Sequence, residues 1–380
     1  MSSVFDRNVN RSLFEIKPYI PGPTVAEIVA KYGVPADKVI KLSSNENNLG
    51  PSPKAVEAVL QTSKVLHHYT DTRAVSLRKA IAKYVGLKPE NILAAAGSSE
   101  IMSFIVRAFS KPGDEVVLAD PSFTLYAEVA LADGRTPVVI KLPPDFVLKI
   151  EDIERKLSAR TRVIFITRPN NPTSKLPPLE MVQKLMQLAP DAVIVSDEAY
   201  VEFADAFPQV SAVNLISDKS NILVTRTFSK LFGLANLRIG YAVGPKTAIS
   251  ALAKVQPKWN LGMVAQNAAE AAVGDREHFA KTRQMVKQGR DYLMRELPRI
   301  PGIETVSDPQ GNFVMAKVVG AGFAAAALTE ALTRRGIVIR GDFHPDYVRI
   351  SVGTMPQNEA LIENLKELVG KGRARGQARA

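Results

Sequence analysis

Residues 222–241 read Ile222-Leu223-Val224-Thr225-Arg226-Thr227-Phe228-Ser229-Lys230-Leu231-Phe232-Gly233-Leu234-Ala235-Asn236-Leu237-Arg238-Ile239-Gly240-Tyr241. The stretch opens on an apolar, β-branched run of strand type, Ile222–Thr225, and a second such run starts at Ile239. Between them lies a glycine-punctuated apolar segment that carries Thr227, Ser229, Lys230 and Arg238. A lysine partly desolvated and flanked by a second cation loses some of its preference for the charged form. Such an amine can form a Schiff base. Two hydroxyls and a guanidinium fork suit a phosphate. A reactive lysine beside a phosphate cup is what pyridoxal 5'-phosphate requires of a protein.

Working outward, short apolar runs recur at Ile92–Ala96, Glu115–Ala119, Thr136–Ile140, Arg162–Thr167, Ala192–Ser196, Ile222–Thr225 and Ile239–Val243. Most are Val/Ile-rich on both faces, as buried parallel strands are. Helical stretches such as Ser99–Phe109 and Pro178–Leu188 alternate with them. The pattern predicts an α/β fold with a mostly parallel sheet flanked by helices. A long helical region is expected over 262–297. Strands at Asn312–Val318, Ile337–Ile339 and Tyr347–Val352 then alternate with helices at 321–334 and 357–368, which reads as a smaller α+β domain. Thr24 and Glu27 have capping-box spacing ahead of a helix to Tyr32, and Pro53 starts another. The expected division is an N-terminal segment 1–55 that joins the small domain, a large domain 56–270, a small domain 271–370 and a tail 371–380.

Composition narrows the classes. The chain has 380 residues, is 46% hydrophobic and contains no cysteine. Disulfides and thiolate metal sites are therefore excluded, and a reducing cytoplasm is the expected compartment. The four histidines, His67, His68, His278 and His344, lack metal-ligand spacing, so no metal is expected. No apolar run approaches membrane-spanning length and no signal-peptide pattern opens the chain. The net charge is +11, and Lys371, Arg373, Arg375 and Arg379 crowd the last ten residues. That tail has no apolar period and is expected to be disordered. The cations of the body suit ligands bearing phosphates and carboxylates rather than nucleic acid.

Ligands of open α/β sheets bind outside the carboxyl ends of the strands, and the chemistry-bearing residues cluster there. Ile92–Ala96 leads into Gly97-Ser98-Ser99-Glu100, a turn and helix start able to take a phosphate or simply to cap the helix. Ala192–Ser196 leads into Asp197-Glu198-Ala199-Tyr200, where a carboxylate could hold a proton on a pyridine nitrogen or cap a helix. Arg162–Thr167 leads into Arg168-Pro169-Asn170-Asn171-Pro172-Thr173-Ser174, a turn in which Asn171 could donate to a ring oxygen. Phe123, in Asp120-Pro121-Ser122-Phe123-Thr124-Leu125-Tyr126, could stack on a planar ring or pack in the core. Arg349, inside Tyr347-Val348-Arg349-Ile350-Ser351-Val352-Gly353, could clamp a carboxylate or close a buried ion pair.

Together these motifs resemble fold-type I, pyridoxal-phosphate-dependent aminotransferases. The resemblance rests on SNEN-x-x-G at Ser44–Gly50, GSSE at Gly97, PNNPT at Pro169, DEAY at Asp197, TFSK-x-FGLA-x-LR-x-GY from Thr227 and VRISVGT from Val348. It spans about residues 15–368. Within that family the histidinol-phosphate aminotransferase group is the nearest, helped by Pro18-Tyr19-Ile20-Pro21-Gly22. The resemblance implies that Lys230 is the Schiff-base lysine, Asp197 the partner of the ring nitrogen, and Tyr200 with Asn171 the holders of the ring oxygen. It places Ser99, Ser229, Arg238, Thr227 and the Gly97–Ser98 backbone about the cofactor phosphate, and Phe123 against the ring. It assigns Tyr69 to the neighbouring subunit's cofactor phosphate, which implies a homodimer with shared sites. Arg349 matches a carboxylate clamp, Arg340 an arginine used on a substrate phosphate, and Tyr19 and Asn47 further substrate contacts. The sequence departs from the family pattern at Asn48, where Pro is usual, at Ser174, where Gly is usual, and in a short loop between Arg340 and Arg349.

The reaction implied is L-histidinol phosphate plus 2-oxoglutarate giving imidazole-acetol phosphate plus glutamate, an amino donor and a 2-oxo acid exchanging one amino group. Two rivals share the scaffold. One is an aromatic amino-acid aminotransferase. The other is a threonine-phosphate decarboxylase, a lyase that needs no 2-oxo acid. A non-catalytic pyridoxal-phosphate-binding module is a third reading, disfavoured because the catalytic positions are filled.

Overall fold

The computed structural model describes residues 3–18, 20–319 and 324–377. Twelve strands are assigned among them: β1 Ile40–Lys41, β2 Ile92–Ala95, β3 Glu115–Asp120, β4 Thr136–Lys141, β5 Thr161–Thr167, β6 Val193–Asp197, β7 Ile222–Thr227, β8 Gly240–Val243, β9 Ile303–Thr305, β10 Phe313–Val318, β11 Ile337–Val338 and β12 Tyr347–Ser351. Seven of them form one sheet in the order β2-β8-β7-β6-β5-β3-β4. All its neighbours run parallel except β8, which is antiparallel to both β2 and β7. Both faces of β2, β6 and β7 are buried, which is why their sequences are continuous apolar runs. The expected α/β fold is the fold observed.

Helices cover the sheet. The helix Ser98–Phe109 buries Ile101, Met102, Phe104, Ile105 and Val106 against one face. The helix Leu179–Leu188 buries Met181, Val182 and Leu185 on the other. Both show the 3.6-residue apolar period that packs a helix on a sheet. The helical region expected over 262–297 is two helices, Met263–Gly274 and Arg276–Glu296. The break falls at Asp275, whose side chain accepts from the His278 N–H and caps the second helix.

A second, three-stranded sheet has the order β12-β10-β9 and is antiparallel throughout. The N-terminal segment reaches this part of the molecule through β1, which pairs in parallel with β11. The Thr24–Glu27 capping box forms as expected: the Thr24 hydroxyl accepts from the Glu27 N–H, and Glu27 accepts from the Thr24 N–H at 2.7 Å. The helix that starts at Met355 runs on through Gln377. No helix among the described residues is long and apolar enough to cross a membrane.

Candidate active site

Register across the large sheet assembles the site. Thr167 pairs with Asp197, and Asp197 pairs with Thr225, at the carboxyl ends of β5, β6 and β7. Parallel neighbours in register point their side chains to one face, so these three stand side by side. Asp197 is only 2% exposed. Its Oδ2 accepts from the Tyr126 hydroxyl at 2.6 Å and its Oδ1 from the Thr225 hydroxyl at 3.0 Å. Burial pushes this carboxyl up to about 6, against the opposing pull of those two hydrogen bonds. No cation pairs with it among the described residues. Glu198, one residue on, points the other way. It accepts from Arg226 at 2.9 Å and from Arg168 at 3.4 Å within a buried ion cluster. The two acids of the motif therefore have different duties, a lining group and a structural anchor.

A cavity of about 360 Å³ opens over these strand ends. Lys230, Asp197, Tyr200, Asn171, Phe123 and Thr227 line it, as do Ser98, Ser99, Ser229, Arg238, Arg340 and Arg349. Lys230 Nζ donates to the Ser44 carbonyl at 2.9 Å and lies 5.7 Å from the centre of the Tyr200 ring. The Tyr200 hydroxyl accepts from Asn45 Nδ2 at 3.2 Å, and its ring meets Phe313 edge-on at 4.9 Å. Arg349 donates to Asn171 Oδ1 and to the Ser43 carbonyl, both at 2.5 Å.

The Gly97 turn accounts for its own composition. Gly97 has φ +95°, and a Cβ there would stand 2.9 Å from Arg238 Nη2. A Cβ at Gly240 would stand 2.2 Å from the Ser98 N. Only glycine allows the strand, the turn and the arginine to approach this closely. Gly97 is the N-cap of the helix Ser98–Phe109, and no side chain caps it. Ser98 and Ser99 are thus not consumed as capping groups.

A family model described as aminotransferase class I and II matches residues 37–365. The chain belongs to that family. Histidinol-phosphate aminotransferase of Methanosarcina mazei is 36% identical over 93% of this chain and 95% of its own length. The enzyme of the same name from Anaeromyxobacter is 37% identical over 93% of this chain and 97% of its own. Among solved structures, the histidinol-phosphate aminotransferase of Clostridium acetobutylicum superposes with a TM-score of 0.81 at 26% identity, covering 88% of this chain and all of that one. The Sinorhizobium meliloti protein of that name, in complex with pyridoxal-5'-phosphate, shares the fold with a TM-score of 0.84 at 24% identity, covering 94% of this chain and 97% of that one.

Aminotransferases of this family depend on pyridoxal phosphate, and the residues of this aminotransferase fit the group. Asp197 is a buried carboxylate in want of a cation, which a protonated ring nitrogen provides. The Gly97 turn, the uncommitted hydroxyls of Ser98 and Ser99, and Arg238 suit a phosphate at a helix start. Among the described residues, Lys230 is the only lysine lining the cavity.

Not every expected residue of the aminotransferase comes to the cavity. Asn47 turns away from it: Nδ2 donates to the Leu231 carbonyl at 2.9 Å, and Oδ1 accepts from the Leu49 N–H. Its amide ties the N-terminal loop to the lysine segment, and Asn45, two residues earlier, faces the site instead. Tyr69 is 82% exposed and lies beside Trp259, with ring centres 5.1 Å apart, away from the cavity of its own chain. Tyr19 lies outside the described residues. The short loop after Arg340 has a structural consequence: Arg340 and Arg349 exchange backbone hydrogen bonds of 3.0 and 2.7 Å, which brings both to the cavity wall. Arg340 also pairs with Asp342 at 2.5 Å. Ser174 adopts φ +62°, the left-handed conformation for which glycine is favoured, and its hydroxyl accepts from the Gly311 N–H at 2.8 Å. Asn48 donates to the Val352 carbonyl at 3.2 Å, a bond no proline would make in its place.

Sequence reasoning missed Tyr126, Thr225 and Asn45. Tyr126 sits in the apolar helix Leu125–Ala132 and reads as core. The in-register pairing of β6 with β7 is the signal that would have found Thr225.

Proposed function

We propose that this aminotransferase exchanges the amino group of L-histidinol phosphate with 2-oxoglutarate, giving imidazole-acetol phosphate and L-glutamate. The observation that carries the substrate reading is the placement of Arg340 and Arg349 as backbone partners on the wall of the cavity that holds Lys230. Glutamate brings two carboxylates, and histidinol phosphate brings a phosphate and no carboxylate. Two guanidinium forks accept either kind of anion. The names of the relatives support the same substrate.

In this reading Lys230 bonds the cofactor covalently, and once released its Nζ takes the proton from the substrate Cα. Asp197 holds a proton on the ring nitrogen. Tyr200 and Asn171 hold the ring oxygen, Phe123 packs on the ring, and Ser99, Ser229, Thr227 and Arg238 hold the phosphate with the Gly97–Ser98 backbone. The cofactor supplies an electron-withdrawing ring that makes the substrate Cα–H acidic. Tyr69 serves the second subunit of a cytoplasmic homodimer. Its exposure, with that of Trp259 packed beside it and of Val56 and Leu60, supports an apolar surface meant for a partner.

The test compares turnover of histidinol phosphate and phenylalanine with 2-oxoglutarate as acceptor, together with borohydride reduction and peptide mapping. The expected result is a strong preference for histidinol phosphate and a label on Lys230. A preference for phenylalanine would replace the substrate reading by that of an aromatic aminotransferase, and a label on another lysine would overturn the site.

A further inference from the structure

Behind Asp197 runs an unbroken line of hydrogen-bonding side chains. The Tyr126 hydroxyl is 2.6 Å from Asp197 Oδ2 and 2.9 Å from Thr167 Oγ1. Thr167 Oγ1 is 2.8 Å from Ser122 Oγ, and Ser122 Oγ is 2.7 Å from Asn170 Oδ1. The far end is fixed. Asn170 spends both amide protons, on the Pro121 carbonyl and on Thr173 Oγ1, each at 3.0 Å. Its Oδ1 is therefore an acceptor, and Ser122 must donate to it.

Four links join Asp197, Tyr126, Thr167, Ser122 and Asn170, and the three hydroxyls supply three protons. With Asp197 ionised, Tyr126 donates to it, and one of the two links at Thr167 has no proton. With Asp197 protonated, every link is filled in one direction, from Asp197 through Tyr126, Thr167 and Ser122 to Asn170. The line as built thus favours a neutral Asp197, whereas an ion pair with a ring nitrogen requires a carboxylate. The remaining groups about Asp197 are the Thr225 hydroxyl and Ala199 N–H, which stabilise the carboxylate, and Glu198, which opposes it. Lys230, Arg238, Arg349 and Tyr200 share the cavity wall with it.

We propose that Tyr126, backed by Thr167, Ser122 and Asn170, is a positioning residue that decides whether the proton shared by Asp197 and the cofactor's ring nitrogen rests on oxygen or on nitrogen. This rests on the reading of Asp197 as partner of that nitrogen. The transfer balances: the Asp197 O–H bond breaks, a ring N–H bond forms, and the Tyr126 hydroxyl turns from Thr167 to the new carboxylate. Nothing else is consumed. Tyr126 and Thr167 act in opposite senses. Tyr126 stabilises the carboxylate by donating to it, while Thr167 competes for the same hydroxyl proton and so stabilises the neutral acid.

The experiment is a pH titration of holoenzyme reconstituted with pyridoxal phosphate carrying ¹⁵N at the ring nitrogen, followed by ¹⁵N NMR. Tyr126→Phe keeps the ring stacked on Phe165, with centres 4.5 Å apart, and removes only the hydroxyl. Loss of a hydrogen bond to a charged group, about 1.5–3 kcal/mol, corresponds to about 1–2 pH units. The ring-nitrogen pKa is expected to fall by that amount in Tyr126→Phe, and to stay or rise in Thr167→Val. Shifts of the same sign in both variants, or none in either, would overturn the proposal. Asp197→Asn separates the two layers. If it strips the ring proton while Tyr126→Phe does not, the line of hydroxyls is merely structural. If Asp197→Asn leaves the ring nitrogen protonated, the reading of Asp197 fails and the proposal fails with it.

Discussion

Arg349 joins Asn171 across the site: Nη1 donates to Asn171 Oδ1 at 2.5 Å, while Nη2 donates to the Ser43 carbonyl. One guanidinium thereby links β12 of the small sheet, the turn after β5 of the large sheet, and the N-terminal loop. A carboxylate entering the cavity meets a fork already held in plane by two acceptors. Such preorganisation reduces the ordering that binding requires.

Arg349→Lys tests this. An ammonium cannot reproduce two parallel N–H donors held in one plane. The KM for glutamate is expected to rise by about 10- to 100-fold, the worth of roughly 1.5–3 kcal/mol for a charge-assisted bond. Steady-state kinetics on the purified variant gives the value. A KM within twofold of the parent would remove Arg349 from substrate binding and leave it as a structural link.

Glu202 predicts the pH dependence of stability. It is buried beside Arg226, 3.8 Å away, and burial pushes it up to about 7. In the unfolded chain it titrates near 4.3. Between those values the folded protein keeps a proton that the unfolded chain has lost, so stability falls as pH rises from about 4.3 to 7 and levels off above. Asp197 adds a slope of the same sign up to about 6 in the cofactor-free protein. Glu202→Gln removes its own share. The variant should therefore gain on the parent by about 2–4 kcal/mol between pH 4 and pH 8. Urea denaturation of both apo proteins at the two values measures this, and a difference that does not change with pH would refute it.

Shared sites predict complementation. Tyr69→Ala and Lys230→Ala are each expected to be inactive. Mixed and allowed to exchange, random pairing makes half the dimers hybrid, each with one intact site, so about a quarter of the parent activity should return. No recovery, with exchange demonstrated by mass spectrometry, would count against a site built from two chains.

The sequence made the fold legible where burial wrote it plainly. Continuous apolar runs marked β2, β3 and β5 to β7 to within a residue or two, because strands buried on both faces leave no polar alternation to confuse. β1 and β9, two and three residues long, carry no period at all and exist only through their partners. Lys230, Asp197 and Arg349 were legible as charges placed where an apolar pattern gives no reason for them. Tyr126 was not, since an aromatic in an apolar helix is ordinary until the register of β5, β6 and β7 sets Thr167 and Asp197 at its hydroxyl. Asn47 and Asn45 illustrate the same limit. Two like residues in one loop differ only in which way the backbone turns them, and Asn45 has φ +52°.

The proposed substrate is tested at Arg340, which already has two partners. Its Nε pairs with Asp342 at 2.5 Å and its Nη2 donates to the Ile20 carbonyl at 3.3 Å. Asp342 is half exposed, so that ion pair contributes little and yields readily to a stronger anion. The backbone of Arg340 is held to Arg349 by two hydrogen bonds, which anchors the root of its side chain at the cavity that Arg340 lines. A dianionic phosphate outcompetes a solvated carboxylate for a guanidinium fork. Arg340→Gln is therefore expected to raise the KM for histidinol phosphate by about 10- to 100-fold while leaving phenylalanine, which has no second anion, nearly unchanged. Parallel kinetics with the two donors measures both. Small and equal effects on both would leave Arg340 as the partner of Asp342 and point the enzyme toward aromatic amino acids.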